Sequence, residues 1–275
     1  MGKDTRPRRS LSKVDRTRLA KDTINVKIPA LLKSTPRAKT GVSNARLFRE
    51  SDLPKRADNG CAKPTVSIVD SDTLEVARVM HAAHPNDRIM VLSMASPLRA
   101  GGGMLTGATS QEESLCIRST LLLSLRDEFY RIPEDAVIYT PDVLVFRDHN
   151  LVDLAKTERF FVDVCSCPAV RFPEVENGRY AVEADQETMF GKIRMIMRVA
   201  AGRGCKRLVL GALGCGAYDN PVRQVAEMFG KVIQGNRMCG KEESWDGVEE
   251  VVFAIRGAGS HDKIQGFKEV FGGMN

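Results

Sequence analysis

Residues 99–116, RAGGGMLTGATSQEESLC, set three consecutive glycines ahead of Gln111-Glu112-Glu113, with seven residues between them. Adjacent carboxylates at a helix start support two chemistries. In one, Ser110 is the N-cap and Glu113 closes a capping box, with Glu112 favoured by the helix dipole. In the other, the glycines wrap a ligand and a carboxyl is aimed at it. A carboxylate pressed against a phosphate-bearing ligand has its pKa raised by like charge, which is what a general acid in glycoside cleavage needs. A second glycine turn, Gly214-Cys215-Gly216, leads into another helical pattern. Glycine lets backbone N–H groups approach an anion closely, and helix N-termini favour phosphate. Two such loops suit a sugar-bearing diphosphate. Neither matches the P-loop pattern GxxxxGK[ST] nor GxGxxG, so phosphoryl-transfer and hydride chemistry lack support.

These loops must be held by a scaffold. From Pro64 onward, apolar runs alternate with amphipathic stretches. Strands are expected at 64–70, 88–94, 136–140, 143–147, 159–167, 207–213 and 248–256. Helices are expected at 73–83 (N-capped by Asp72), 111–129, 183–201 and 222–234. Strands that are apolar throughout and alternate with helices predict an α/β sheet covered on both faces. An N-terminal helical stretch is expected at about 15–33.

The chain has 275 residues, of which 43% are hydrophobic and 28% charged. That suffices for a substantial core. No apolar run approaches the roughly 18 residues of a membrane span, and the polar, basic N-terminus predicts an intracellular protein with no membrane partner. The net charge of +6 is uneven: residues 1–60 hold 16 Lys and Arg against 6 Asp and Glu, and the remainder 25 against 29. The cluster Arg6-Pro7-Arg8-Arg9 reads as a solvated, disordered tail over 1–14, or as a polyanion contact or nuclear address. Seven cysteines without framework spacing read as reduced thiols. Cys165 and Cys167 lack a second pair and His81 and His84 lack partners, so no metal is expected. Cys215 has no histidine partner in sequence, which argues against a nucleophile.

GGG followed by QEE, together with LGALGCGAYDNPVRQVAEMF (210–229), YTPDVLVFRD (139–148) and the wider stretch 91–121, resembles microbial-type poly(ADP-ribose) glycohydrolases. RTRLAKDT (16–23) and NARLFRES (44–51) are similar to that family's N-terminal helical region, so the likeness runs over about residues 15–272. The resemblance implies a macrodomain-like α/β fold, a mixed sheet flanked by helices on both faces. It implies a helical extension at 15–60 and a catalytic domain at 61–275. It implies hydrolysis of ribose–ribose O-glycosidic bonds without a metal or cofactor, acting from the chain end on poly(ADP-ribose), with ADP-ribose as product and a monomeric enzyme. The alternatives are a mono-ADP-ribosyl hydrolase, acting on ADP-ribosylated macromolecules, and a non-catalytic ADP-ribose-binding module.

Carried over by position, the resemblance makes Glu113 the catalytic acid and Glu112 the holder of the ribose hydroxyls. Gly101, Gly102 and Gly103 would press on the diphosphate and distal ribose, and Gly214, Cys215, Gly216 and Ala217 would form the second diphosphate loop. Tyr218 would pack on the terminal ribose. Gln111 would support the helix start at the substrate site. Ser93 stands where the family usually has Asn, two residues before Ala95 and Ser96, and both Ser93 and Ala95 are expected to line the site. Arg99-Ala100 replace a common Pro, and Leu213 a common Trp. These departures bear on ribose contact and chain-length preference.

Overall fold

Strand faces alternate strictly in the sheet: Met90 and Leu92 pack into one apolar core, Ile89 and Val91 into the other, and Val251 and Phe253 oppose Val252 and Ala254 in the same way. A strand turns successive side chains to opposite faces, so a run apolar at every position must be covered twice. In the computed structural model, which describes residues 11–56, 62–234, 243–257 and 259–272, these strands form a seven-stranded mixed sheet. The strands are β1 (Arg46–Arg49), β2 (Thr65–Val69), β3 (Ile89–Met94), β4 (Ala136–Val145), β5 (Phe160–Cys167), β8 (Arg207–Leu210) and β9 (Glu250–Ala254), in the order β1-β4-β5-β3-β8-β9-β2. Strands β5, β3, β8, β9 and β2 are parallel, and β4 and β1 extend the sheet antiparallel to their neighbours. A small hairpin, β6 (Val175–Glu176) and β7 (Arg179–Tyr180), follows β5.

One face is covered by α6 (Glu183–Gly202), α7 (Val222–Gln234) and α8 (Ser260–Gly272), with Phe229, Phe253, Phe267 and Phe271 forming an aromatic cluster. The other is covered by α4 (Thr73–Ala83), α5 (Gln111–Arg118) and short 3-10 turns. At the N-terminus, α1 (Lys13–Asp22) passes through a π turn at Thr23–Lys27 into α2 (Ile28–Ser34). Pro29 explains the π turn: it has no N–H to donate to the carbonyl four residues back, and its ring crowds that carbonyl. Helix α3 (Pro36–Ser43) then presses Gly41 onto the backbone of Pro141 and Asp142, where a Cβ would lie 2.4 Å from the Pro141 carbonyl oxygen.

Several expectations are corrected. The helix expected over 111–129 ends at Arg118. Ser119 turns extended and bridges to Val145, and Thr120 exchanges bonds with Leu144 (N–H to O, 3.0 Å; Leu144 N–H to Oγ1, 3.0 Å). Tertiary partners there outcompete the next helical turn. The two strands expected at 136–140 and 143–147 are one strand, β4, bulged between Thr140 and Val143, because Pro141 has no N–H for the ladder. Helix begins at Lys13, inside the stretch expected as tail, and β1 joins the sheet from within the stretch expected as helical extension. Residues 1–10, with Arg6, Arg8 and Arg9, and also Cys61 and Cys239, lie outside the described residues. Among the described residues, no helix is long and apolar enough to cross a membrane.

Candidate active site

The five parallel strands end on the same side, and the segments that follow them line one cavity of about 1410 Å³. In open α/β sheets ligands bind at the carboxyl ends of the strands. The segment after β2 contributes Ser71, Asp72 and Thr73, that after β3 the glycine loop and the start of α5, that after β5 Ala169 and Arg171, that after β8 residues 212 and 214–219, and that after β9 Ile255, Arg256 and Gly257.

The glycine loop is shaped around the carboxylates. Gly101 and Gly102 adopt left-handed conformations (φ 66° and 55°), open to glycine at little cost. This turns the Gly103 N–H onto Glu113 Oε1 at 2.7 Å. Ser110 occupies the N-cap of α5, but its side chain accepts no backbone bond; its hydroxyl donates to Glu113 Oε2 instead. The capping box is therefore not formed. Glu113 bridges the helix start and the glycine loop, 6% exposed on the cavity wall.

Glu112 is 2% exposed. Its Oε2 accepts the Ser96 N–H at 2.8 Å, while Oε1 is buried without a partner. Burial pushes its carboxyl up to about 8; the Ser96 N–H opposes that shift and the neighbouring Glu113 charge adds to it. Glu112 is thus protonated near neutrality and has a proton to offer at an oxygen with no protein acceptor. Gln111 fixes the start of α5 to β3: its Oε1 accepts from Met94 N–H at 2.9 Å, and its Nε2 donates to Leu92 O at 2.6 Å and Thr73 Oγ1 at 3.3 Å.

The second glycine turn has its own anchor. Gly214 (φ 73°) passes so close to Ala169 and Asn220 that a Cβ would lie 2.5 Å from each. The buried Asn220 amide donates to the carbonyls of Val170, Gly214 and Tyr218 (2.8, 3.1 and 3.1 Å) and accepts from the Tyr180 hydroxyl at 2.7 Å. At Gly216 a Cβ would meet nothing within 4 Å, so this backbone faces open cavity. Cys215 is 6% exposed, its thiol pushed up to about 12 by burial and set 3.5 Å from Leu213 O. Such a thiol is inert. Tyr218 lies half-buried on the cavity wall beside Ser96, and its ionisation is disfavoured by burial.

The fold brings Ala95, Gly102, Gly103, Gln111, Glu112, Glu113, Gly214, Cys215, Gly216, Ala217 and Tyr218 together on the cavity wall. Ser93 and Gly101 do not line it. Ser93 is fully buried in the sheet beside Ser166 of β5, its hydroxyl without a partner, and Gly101 packs toward Leu122 and Cys116. Sequence reasoning missed Ser96, Asn220 and the cavity cations Arg99, Arg171, Arg256 and Lys263. For Ser96, Arg99 and Arg171 the signal is a position soon after an expected strand; Arg256 ends the expected strand 248–256 and Lys263 lies in α8. Among the described residues, no three metal-ligating side chains converge.

Three comparisons bear on this geometry. The family model for the microbial-type PARG catalytic domain matches residues 19–148. No curated protein sequence matches the chain. Among solved structures, poly(ADP-ribose) glycohydrolase from Thermomonospora curvata is similar with 28% identity and a TM-score of 0.77, over 94% of this chain and 100% of that one. The same enzyme bound to the inhibitor ADP-HPD is similar at 28% identity and a TM-score of 0.74, over 93% and 99%. Poly(ADP-ribose) glycohydrolase from Deinococcus radiodurans in complex with ADP-ribose is similar at 25% identity and a TM-score of 0.70, over 87% and 99%. The matched residues contain the glycine loop and both carboxylates; in sequence over 19–148 and in fold over nearly the whole chain, the protein is similar to microbial-type poly(ADP-ribose) glycohydrolases.

Proposed function

We propose that the protein hydrolyses the ribose–ribose O-glycosidic bonds of poly(ADP-ribose) from the chain end and releases ADP-ribose. The observation that carries this reading is the posture of Glu113, tied by the Gly103 N–H and the Ser110 hydroxyl to the wall of a cavity with two glycine turns. The solved relatives in complex with ADP-ribose and ADP-HPD support the choice of ligand.

Glu113 protonates the departing ribose oxygen as the glycosidic bond breaks. The resulting carboxylate then takes a proton from the attacking water. Positive charge grows at the anomeric carbon, and a substrate diphosphate folded between the glycine turns lies where it can stabilise that charge. Glu112, protonated at neutral pH, donates from Oε1 to a ribose hydroxyl and holds the sugar beside the bond. A buried donor without a partner favours a ligand that supplies one.

The test mixes the protein with poly(ADP-ribose) and quantifies free ADP-ribose, wild type against Glu113→Ala, with ADP-ribose affinity measured by calorimetry. The variant is expected to keep its affinity and lose roughly 100-fold or more in turnover, the range of a general acid. Equal release by both proteins would remove Glu113 from the role. Tight binding without release by either would make the protein a reader of the mark.

A further inference from the structure

The cavity has a polarity set by the strand order. The acid sits at the end of β3, and the second glycine turn follows β8, the next strand along. With the nucleoside of a held diphosphate placed toward the ends of β9 and β2, whatever departs from Glu113 extends the other way, over the end of β5. That end carries Arg171 and Phe172. Phe172 is 59% exposed although large and apolar, and it holds a left-handed backbone conformation (φ 49°) that a bulky side chain rarely adopts. Its N–H donates to Tyr218 O at 3.2 Å, and its ring meets the Tyr218 ring edge-on with centroids 5.7 Å apart. The Arg171 guanidinium lies 5.7 Å from the Phe172 centroid and 5.6 Å from that of Tyr218, with no carboxylate paired to it among the described residues.

We propose that Phe172 and Arg171 form a subsite for the nucleotide on the leaving side of the scissile bond, Phe172 stacking its base and Arg171 pairing with its phosphate; this rests on the glycohydrolase reading above. An exposed ring beside an unpaired guanidinium suits an aromatic base joined to a phosphate, and each repeat of the proposed polymer carries both. The subsite therefore distinguishes a polymer from a lone ADP-ribose unit.

The experiment uses Glu113→Gln, which retains an oxygen for the Gly103 N–H and leaves the ligand uncut. Calorimetry compares ADP-ribose with a purified two-unit ADP-ribose oligomer. The oligomer is expected to bind roughly tenfold more tightly, in the range of one base–aromatic stack. Adding Phe172→Ala should erase that advantage and leave ADP-ribose affinity within about twofold, and Phe172→Trp should keep it. Equal affinity for the two ligands with Phe172 present, or an advantage that survives Phe172→Ala, would overturn the proposal. So would an equal weakening of ADP-ribose itself, which would move Phe172 into the terminal unit's site. Failure of the glycohydrolase reading shows separately, as no ADP-ribose released from the same oligomer by the wild-type protein.

Discussion

Gly102 has no room for a side chain because Glu113 fills the space: a Cβ there would lie 2.7 Å from Glu113 Oε1 and 2.8 Å from Glu112 Oε2. The loop's looseness thus serves the carboxylates first. Gly102→Ala would meet both oxygens and would also force alanine to a φ of 55°. We expect a stability loss of about 1–2 kcal/mol and a fall in turnover of about tenfold or more, because displacing a reacting group by about 1 Å costs that much. Thermal unfolding and ADP-ribose release measure the two effects. Wild-type turnover in Gly102→Ala would mean that the loop does not set the position of the acid.

The carboxyl of Glu112 gives a pH signature. Its pKa is raised from 4.5 to about 8 in the folded protein, so folding takes up a proton between those values. Stability contributed by the neutral form is complete below about 4.5 and is lost as pH rises through about 8, to the extent of a few kcal/mol. Urea unfolding between pH 5 and 9 should show this decline, and Glu112→Gln should flatten it. The value of kcat/KM should fall over the same alkaline limb, since the ionised form has no proton for the ribose. A wild-type stability profile that stays level across this window would contradict the assignment.

The parts legible in the sequence are those with local causes. Apolar runs in β3, β5, β8 and β9 must be covered on both faces, and glycines close to carboxylates mark a loop folded onto them. What stayed hidden depends on distant partners. The end of α5 is decided by Thr120 meeting Leu144, 24 residues away. Strand β1 exists because β4 offers it an edge. Asn220 reads as a turn residue, and only the fold shows its amide tying Val170, Gly214 and Tyr218 together. Ser93 is next to the site in sequence, yet it sits inside the strand, fully buried opposite Ser166 of β5, and does not line the cavity.

Cys215 lies in the middle of the second glycine turn and invites a reading as nucleophile. Its thiol is buried and pushed up to about 12, so almost none is thiolate at neutral pH. We expect Cys215 to resist iodoacetamide at pH 7.5 in the folded protein and to react once denatured, as followed by mass spectrometry. Cys215→Ala should retain turnover within about threefold, because the bonds that shape this turn come from Asn220. Abolished turnover with an unchanged fold would give the sulfur a role that this geometry does not.

Arg118 closes α5 and joins it to α4. It is 1% exposed, and its guanidinium reaches Asp72 Oδ1 at 2.7 Å, Glu75 Oε1 at 3.2 Å and Ser114 Oγ at 3.3 Å. Asp72 also caps α4 by accepting from the N–H groups of Leu74 and Glu75 at 3.0 and 3.2 Å, and it lines the cavity. Removing the cation leaves Asp72 without its partner and Glu75 with Arg78 at 3.1 Å. We expect Arg118→Met to cost about 3 kcal/mol, a drop in Tm of roughly 10 °C for a chain of this size. Arg118→Lys should recover only part of this, since one ammonium cannot fork to both carboxylates. Turnover should fall in both variants by more than ADP-ribose affinity does, because the helix that carries Glu112 and Glu113 loses its anchor to α4. An unchanged Tm in Arg118→Met would show that α5 is held by its apolar face alone.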